Sequence, residues 1–113
     1  MILELGANDG LRGVPVDETR KNLAAAIALA HEKGTHVLLA GMQMPPNYGP
    51  DYTSEFARIF AELGEEPGVT LIPFFLEGVA GVPRLNLPDG IHPNADGYRI
   101  VVDNVLPHLL PLL

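Results

Sequence analysis

Thr35-His36-Val37-Leu38-Leu39-Ala40-Gly41 is a short, continuous apolar run closed by a glycine. A strand with one wet face alternates apolar and polar residues. A run without that alternation fits a strand covered on both faces, as in a parallel sheet. Upstream, a helix is expected to start near Asp17, or with Pro15 as an early helical residue. Leu23, Ile27 and Ala30 recur on one face at helical spacing, and Glu32-Lys33-Gly34 reads as the C-terminus, with Gly34 in the left-handed position. Downstream, Met42 to Pro50 is a proline-rich loop. Asp51 to about Leu63 reads as a second helix with Tyr52, Phe56, Ile59, Phe60 and Leu63 inward, and Val69 to Pro73 as a further strand.

The flanks repeat the alternation. Met1 to Leu5 reads as a buried strand running into a turn at Gly6-Ala7-Asn8-Asp9-Gly10, and Gly10 to Val16 as a loop. Phe74 to Pro88 is an irregular apolar loop with one helical turn expected near Leu76 to Val79. Asn94 is placed to cap a last helix with Tyr98, Val101, Val102, Val105 and Leu109 facing in, and Pro107 is expected to kink or shorten it. Strand, helix, strand, helix, strand, helix implies an open α/β layer with parallel strands and right-handed crossovers. Ligands of such sheets sit beyond the C-terminal strand ends. Asn8, the Met42–Pro50 loop and the Phe74–His92 region all follow such ends. Three strands are few, and a sheet this narrow leaves an apolar edge unpaired. The chain opens directly in a core strand, which is read as a sign of sequence missing upstream.

The chain has 113 residues, 47% of them hydrophobic, enough for one small domain. Its formal net charge of −7 argues against nucleic acid or an anionic membrane as main partner. With no cysteine, disulfides, thiolate metal sites and cysteine nucleophiles are excluded. No apolar run approaches the ~18 residues of a membrane span. Met1–Leu5 lacks the basic leader and long apolar stretch of a signal peptide.

The chemistry points to Leu87-Pro88-Asp89-Gly90-Ile91-His92-Pro93-Asn94. A carboxylate three residues before an imidazole, with a glycine between, can orient one ring nitrogen and leave the other for a reacting group. That pair is the acid–base half of a nucleophilic triad. The same spacing also suits an Asx turn carrying an exposed histidine, and Asn8-Asp9-Gly10 is a turn-former in its own right. His31, on a helix, and His36, at a strand start, read as surface residues, and His108 follows a proline near the end with no acidic neighbour to orient it. The single serine, Ser54, lies at a helix start, in a setting typical of a solvated or capping residue.

Gly6-Ala7-Asn8-Asp9 followed by Asp89-Gly90-Ile91-His92 resembles the third and fifth sequence blocks of the SGNH, or GDSL, hydrolase superfamily. Together with Gly10-Leu11-Arg12-Gly13, Pro46-Asn47-Tyr48-Gly49, Pro73-Phe74-Phe75 and Pro93-Asn94, these blocks look like the bacterial acyl-CoA thioesterase I / lysophospholipase L1 / arylesterase branch. The resemblance implies a three-layer, flavodoxin-like α/β fold with a parallel sheet. Residues 1–113 would form a partial domain running from the third strand to the C-terminal helix. The N-terminal G-D-S-L block with the nucleophile, and the glycine block after it, have no counterpart here.

The resemblance implies further that His92 is the general base, Asp89 its orienting partner and Asn8 the oxyanion donor. Asp9 would bond backbone N–H groups of its own loop and so fix Asn8. Gly10 to Val14 would be a mobile loop beside the acyl site, and Gly10, Leu11, Met44, Tyr48 and Phe75 would line it. The implied reaction is hydrolysis of small acyl esters or thioesters through an acyl-enzyme, with no cofactor and no metal. Enzymes of this branch are often periplasmic or secreted, but the address would sit in the N-terminal part, so the compartment stays open. The expected macromolecular partner is the serine-bearing N-terminal fragment, or a second copy, pairing with Ile2–Leu5. Two alternatives stay open: an inactive, self-associating interaction module, and a carbohydrate acetylesterase sharing the same two motifs.

Overall fold

A computed structural model describes all residues from Met1 to Leu113. The chain divides into two compact units, Met1–Pro73 and Phe74–Leu113.

The first unit is built on β1 (Ile2–Leu3), β2 (Val37–Ala40) and β3 (Val69–Ile72), hydrogen-bonded in the order β1-β2-β3. Both pairings are parallel, with Ile2 opposite Leu38 and Val37 opposite Val69. The apolar run Thr35–Gly41 holds the central strand, and each of the four residues of β2 is buried. A residue buried on either face needs no polar alternation, which is why β2 was legible. The strands are shorter than the apolar runs around them; only Ile2 and Leu3 of Met1–Leu5 are paired. β1 is an edge strand, and Ile2 is 50% and Leu5 59% exposed.

The crossovers are α2 (Val16–Glu32) and α3 (Pro50–Leu63), which pack against each other. Leu23, Ile27 and Ala30 of α2 and Phe56, Ile59, Phe60 and Leu63 of α3 are buried, as their spacing predicts. Gly34 holds φ at 69°, so the left-handed backbone that closes α2 carries no side chain to clash. An Arg20–Glu62 ion pair links the two helices at the surface, where such pairs contribute little.

The expected burial of Met1–Leu5 is corrected, since only Leu3 among them is buried, and so is the reading of the residues that follow. Residues expected to form a turn and loop contain a short helix, α1 (Ala7–Leu11). Gly6, at φ 104°, turns the chain out of β1, and the Gly10 amide donates to the Gly6 carbonyl at 3.0 Å. Gly10 has a helical backbone; it is small because Met44 and Phe56 pack where its Cβ would be.

The second unit has a core of Val79, Leu85 and Val101, against which Phe75, Leu76, Val82, Ile100 and Val105 pack. Its helix, α4 (Ala95–Leu109), starts where Asn94 caps it: the Asn94 side-chain oxygen accepts the Gly97 amide at 3.0 Å. Before α4 the chain runs through turns and a 3-10 segment, Pro83–Leu85. One expectation for α4 is corrected. Tyr98 and Val102 face out, at 49% and 51% exposed, because Val101 and its neighbours occupy the core side. Pro107 lies inside the helix, which ends two residues later at Leu109. A proline removes the amide that would bond back to the carbonyl four residues earlier and crowds that preceding turn, which favours a helix end nearby.

Candidate active site

In the second unit, Leu87 to Asn94 closes into a narrow hairpin. The Leu87 amide donates to the His92 carbonyl at 2.8 Å, and Asn86 and Pro93 form an antiparallel bridge below it. The tip turns at Gly90, where φ is 72°. Asp89 uses both carboxylate oxygens. Oδ1 accepts the Ile91 and His92 amides at 2.9 and 3.1 Å, and Oδ2 lies 2.7 Å from Nδ1 of His92. The Asx turn and the imidazole contact are therefore one structure: the turn aims the carboxylate that holds the ring. The His92 hydrogen bond, then the two amides, lower the Asp89 pKa from 3.8 to about 2. An ionised Asp89 selects the tautomer with hydrogen on Nδ1, leaving the Nε2 lone pair to take a proton. The pair is open to solvent, with side chains 44% exposed at Asp89 and 65% at His92.

In the first unit, Asn8 stands exposed on α1, immediately beyond the C-terminal end of β1. Asp9 does not bond the backbone of its own loop as expected. Its Oδ2 accepts the Thr19 hydroxyl at 3.2 Å, so the tether runs to α2. The segment expected to be a mobile loop is held from the other side by two phenols. Tyr48 donates to the Leu11 carbonyl at 2.9 Å and Tyr52 to the Val14 carbonyl at 2.7 Å. Tyr52 heads an aromatic ladder along α3: its ring lies 6.3 Å from Phe56, which lies 5.5 Å from Phe60. Burial, then the charge of Asp9 and the nearby Tyr48, raise the Tyr52 pKa, so its phenol stays a donor.

Two groups of candidates thus come together, each within its own unit. Gly10 with Met44, and Leu11 with Tyr48, surround the α1 segment. Asp89 and His92 form the other group, and Phe75 lies half-buried against the core of that unit. Met44 is buried beneath Gly10, while Leu11 and Tyr48 keep part of their surface open. Ser54 is exposed in the regular helix α3, with no strained turn around it. No three His, Asp or Glu side chains converge to hold a metal ion, and no helix is long and apolar enough to cross a membrane. Sequence reasoning missed Thr19 and Tyr52 as supports of the α1 segment; their partners lie 10 and 38 residues away, and no local pattern marks them.

Residues 1–100 match the GDSL-like Lipase/Acylhydrolase family. The chain belongs to this family. It is 44% identical over 113 residues to Esterase TesA of Pseudomonas aeruginosa, covering all of this chain and 56% of that protein. It is 38% identical over 110 residues to an arylesterase of Vibrio mimicus, covering 97% of this chain and 55% of that one. It is 36% identical to Thioesterase 1/protease 1/lysophospholipase L1 of Escherichia coli, over 54% of that protein.

Among solved structures, the crystal structure of TesA superposes with a TM-score of 0.93 at 45% identity, over 99% of this chain and 62% of that one. The psychrotrophic esterase EstA from Pseudoalteromonas gives 0.88 at 33% identity, over 98% and 61%. AlinE4, an SGNH-hydrolase family esterase, gives 0.75 at 39%, over 99% and 59%. The chain therefore has the α/β fold of SGNH esterases, and it spans about half the length of the curated relatives it matches.

Proposed function

We propose that residues 1–113 are part of one serine ester hydrolase domain, contributing its acid–base pair and its oxyanion donor. The nucleophilic serine comes from a segment outside these residues. The carrying observation is the 2.7 Å contact of Asp89 Oδ2 with His92 Nδ1, which leaves Nε2 as the only ring nitrogen free to work. In the reaction, Nε2 takes the serine proton as the oxygen attacks an acyl carbonyl. His92 then returns that proton to the departing alcohol or thiol, leaving an acyl-serine that water clears by the same route reversed. Asp89 holds the tautomer and offsets the imidazolium charge. Asn8 donates its amide to the tetrahedral oxyanion, a kind of contact worth about 3–4 kcal/mol in serine hydrolases. Gly10, Leu11, Met44, Tyr48 and Phe75 serve the acyl group, with Met44 supporting Gly10 from beneath. Substrates are small acyl esters or thioesters, as the names of the esterase, arylesterase and thioesterase relatives support.

The partner reading rests on β1, whose outer edge is unpaired within the sheet. A strand from the serine-bearing segment, or from a second copy, pairs there through Ile2–Leu5. A non-enzymatic, self-associating module is the second reading. It is favoured by an apolar stripe of Tyr98, Val102, Leu106 and Leu110 along the outer side of α4 and beyond.

The test is hydrolysis of p-nitrophenyl esters. The purified chain alone is expected to be inactive. Mixed with a fragment carrying the serine block of the TesA relative, it is expected to gain activity that a fluorophosphonate blocks and His92→Ala removes. Ready turnover by the chain alone, lost on His92→Ala, overturns the need for an outside serine. Absence of both binding and activity in the mixture favours the assembly module.

A further inference from the structure

Below the Asp89–His92 tip, the hairpin is closed by side-chain amides. Asn94 uses its side chain in full: Oδ1 accepts the Gly97 amide, and Nδ2 donates to the Arg84 carbonyl at 2.9 Å and the Asn86 carbonyl at 3.4 Å. Its backbone amide donates to the Leu85 carbonyl at 2.9 Å. Asn86, half-buried on the opposite arm, donates Nδ2 to the carbonyls of Val79 and Val82, both at 2.9 Å. Leu85 and Val79 belong to the buried core of the unit. The ladder therefore runs from that core through Asn86 and Asn94 to Pro93, the residue directly after His92.

We propose that Asn94 is a positioning residue for His92, clasping the two arms of the hairpin so that the ring meets the Asp89 carboxylate, with Asn86 anchoring the clasp to the core. This rests on the reading of His92 as the base, but the structural claim can be tested without any catalysis.

Capping and clasping use different atoms of one side chain. The cap needs only an acceptor, which Ser and Asp both supply. The clasp needs an N–H donor, which an ionised Asp lacks and which a serine hydroxyl is too short to deliver to both carbonyls. Asn94→Ser and Asn94→Asp therefore keep the α4 cap while removing the side-chain link between the arms, leaving only the backbone hydrogen bonds to hold them. If Asn94 were only a helix cap, both variants would leave His92 untouched.

The experiment is imidazole nitrogen NMR on the whole 15N-histidine-labelled chain, with His92 assigned by comparison with His92→Gln. The parent is expected to show the Nδ1–H tautomer with a slowly exchanging Nδ1 proton. Both variants are expected to retain helical circular dichroism, lose that proton signal, and show Nδ1 and Nε2 shifts of mixed tautomers. Where the activity mixture described above works, kcat is expected to fall with KM little changed. An unchanged His92 signature in either folded variant overturns the proposal. So does unfolding of both variants, which would make Asn94 a determinant of stability and not of ring placement. A failed mixture with an intact NMR result counts against the functional reading alone.

Discussion

Gly97→Ala sets two effects of opposite sign against each other. Gly97 lies in the first turn of α4. Helix propensity alone predicts that alanine stabilises, by about 1 kcal/mol. Packing predicts the reverse. A Cβ at Gly97 would sit far inside contact distance of the Leu85 carbonyl oxygen, 3.0 Å from Pro93 Cβ and 3.2 Å from Val79 Cγ1. A backbone oxygen cannot swing aside as a side-chain tip can, and this one also accepts the Asn94 amide. Overpacking of this kind costs about 1–3 kcal/mol, and loss of the Asn94–Leu85 hydrogen bond adds about 1 kcal/mol. Subtracting the propensity gain leaves a net destabilisation of about 2 kcal/mol. With a urea m-value of about 1–3 kcal/mol/M for a small protein, the midpoint should fall by about 1 M. Equilibrium urea unfolding followed by far-ultraviolet circular dichroism measures this directly. A variant as stable as the parent, or more so, would refute the close approach of α4 to Leu85 on which the hairpin geometry depends.

Two further outcomes follow. The Asp89 carboxylate carbon, followed by NMR, should titrate near pH 2 instead of 3.8. Because the folded pKa is the lower one, the pair's contribution to stability is complete above about pH 4 and fades as pH falls toward 2; titration at the ordinary carboxylate value would mean that the His92 contact does not form in solution. Tyr52→Phe removes the donor to the Val14 carbonyl. It should cost about 1 kcal/mol and raise amide exchange locally from Leu11 to Val14, whereas unchanged exchange there would show that the segment does not depend on this phenol.

The legible parts of the molecule were those whose signals are local. β2 declared itself because a strand buried on both faces must be apolar throughout. The inner faces of α2 and α3 followed from spacing, since Leu23 and Ile27, or Phe56 and Phe60, lie one turn apart. Asn94 was readable as a cap because capping depends on one oxygen three residues from its donor. α1 was not readable. Five residues including a glycine form no helix by propensity, and this one is held by Thr19, Tyr48 and Tyr52 from distant elements. The orientation of α4 is not set by local signals either. Its apolar residues exceed one face, so periodicity could not say that Val101 faces the core while Tyr98 and Val102 face solvent.

The same contrast bears on how the proposed machinery is assembled. Every contact that sets the His92 ring comes from residues within the same unit: Asp89 three positions away, Leu87 on the facing arm, and the Asn86 and Asn94 clasp. Short loops close at little entropic cost, so the acid–base pair can form without any other segment in place. Asn8 sits instead on a segment whose neighbours are tethered from further away: Asp9 to Thr19, 10 residues on, and Leu11 and Val14 to Tyr48 and Tyr52, 37 and 38 residues on. Longer closures are entropically costlier and rest on the folded sheet and on α3. Loosening the first unit should therefore disturb Asn8, the proposed oxyanion donor, before His92, the proposed base. Under the proposed function, a complementing segment would bring its serine to a histidine that is already oriented.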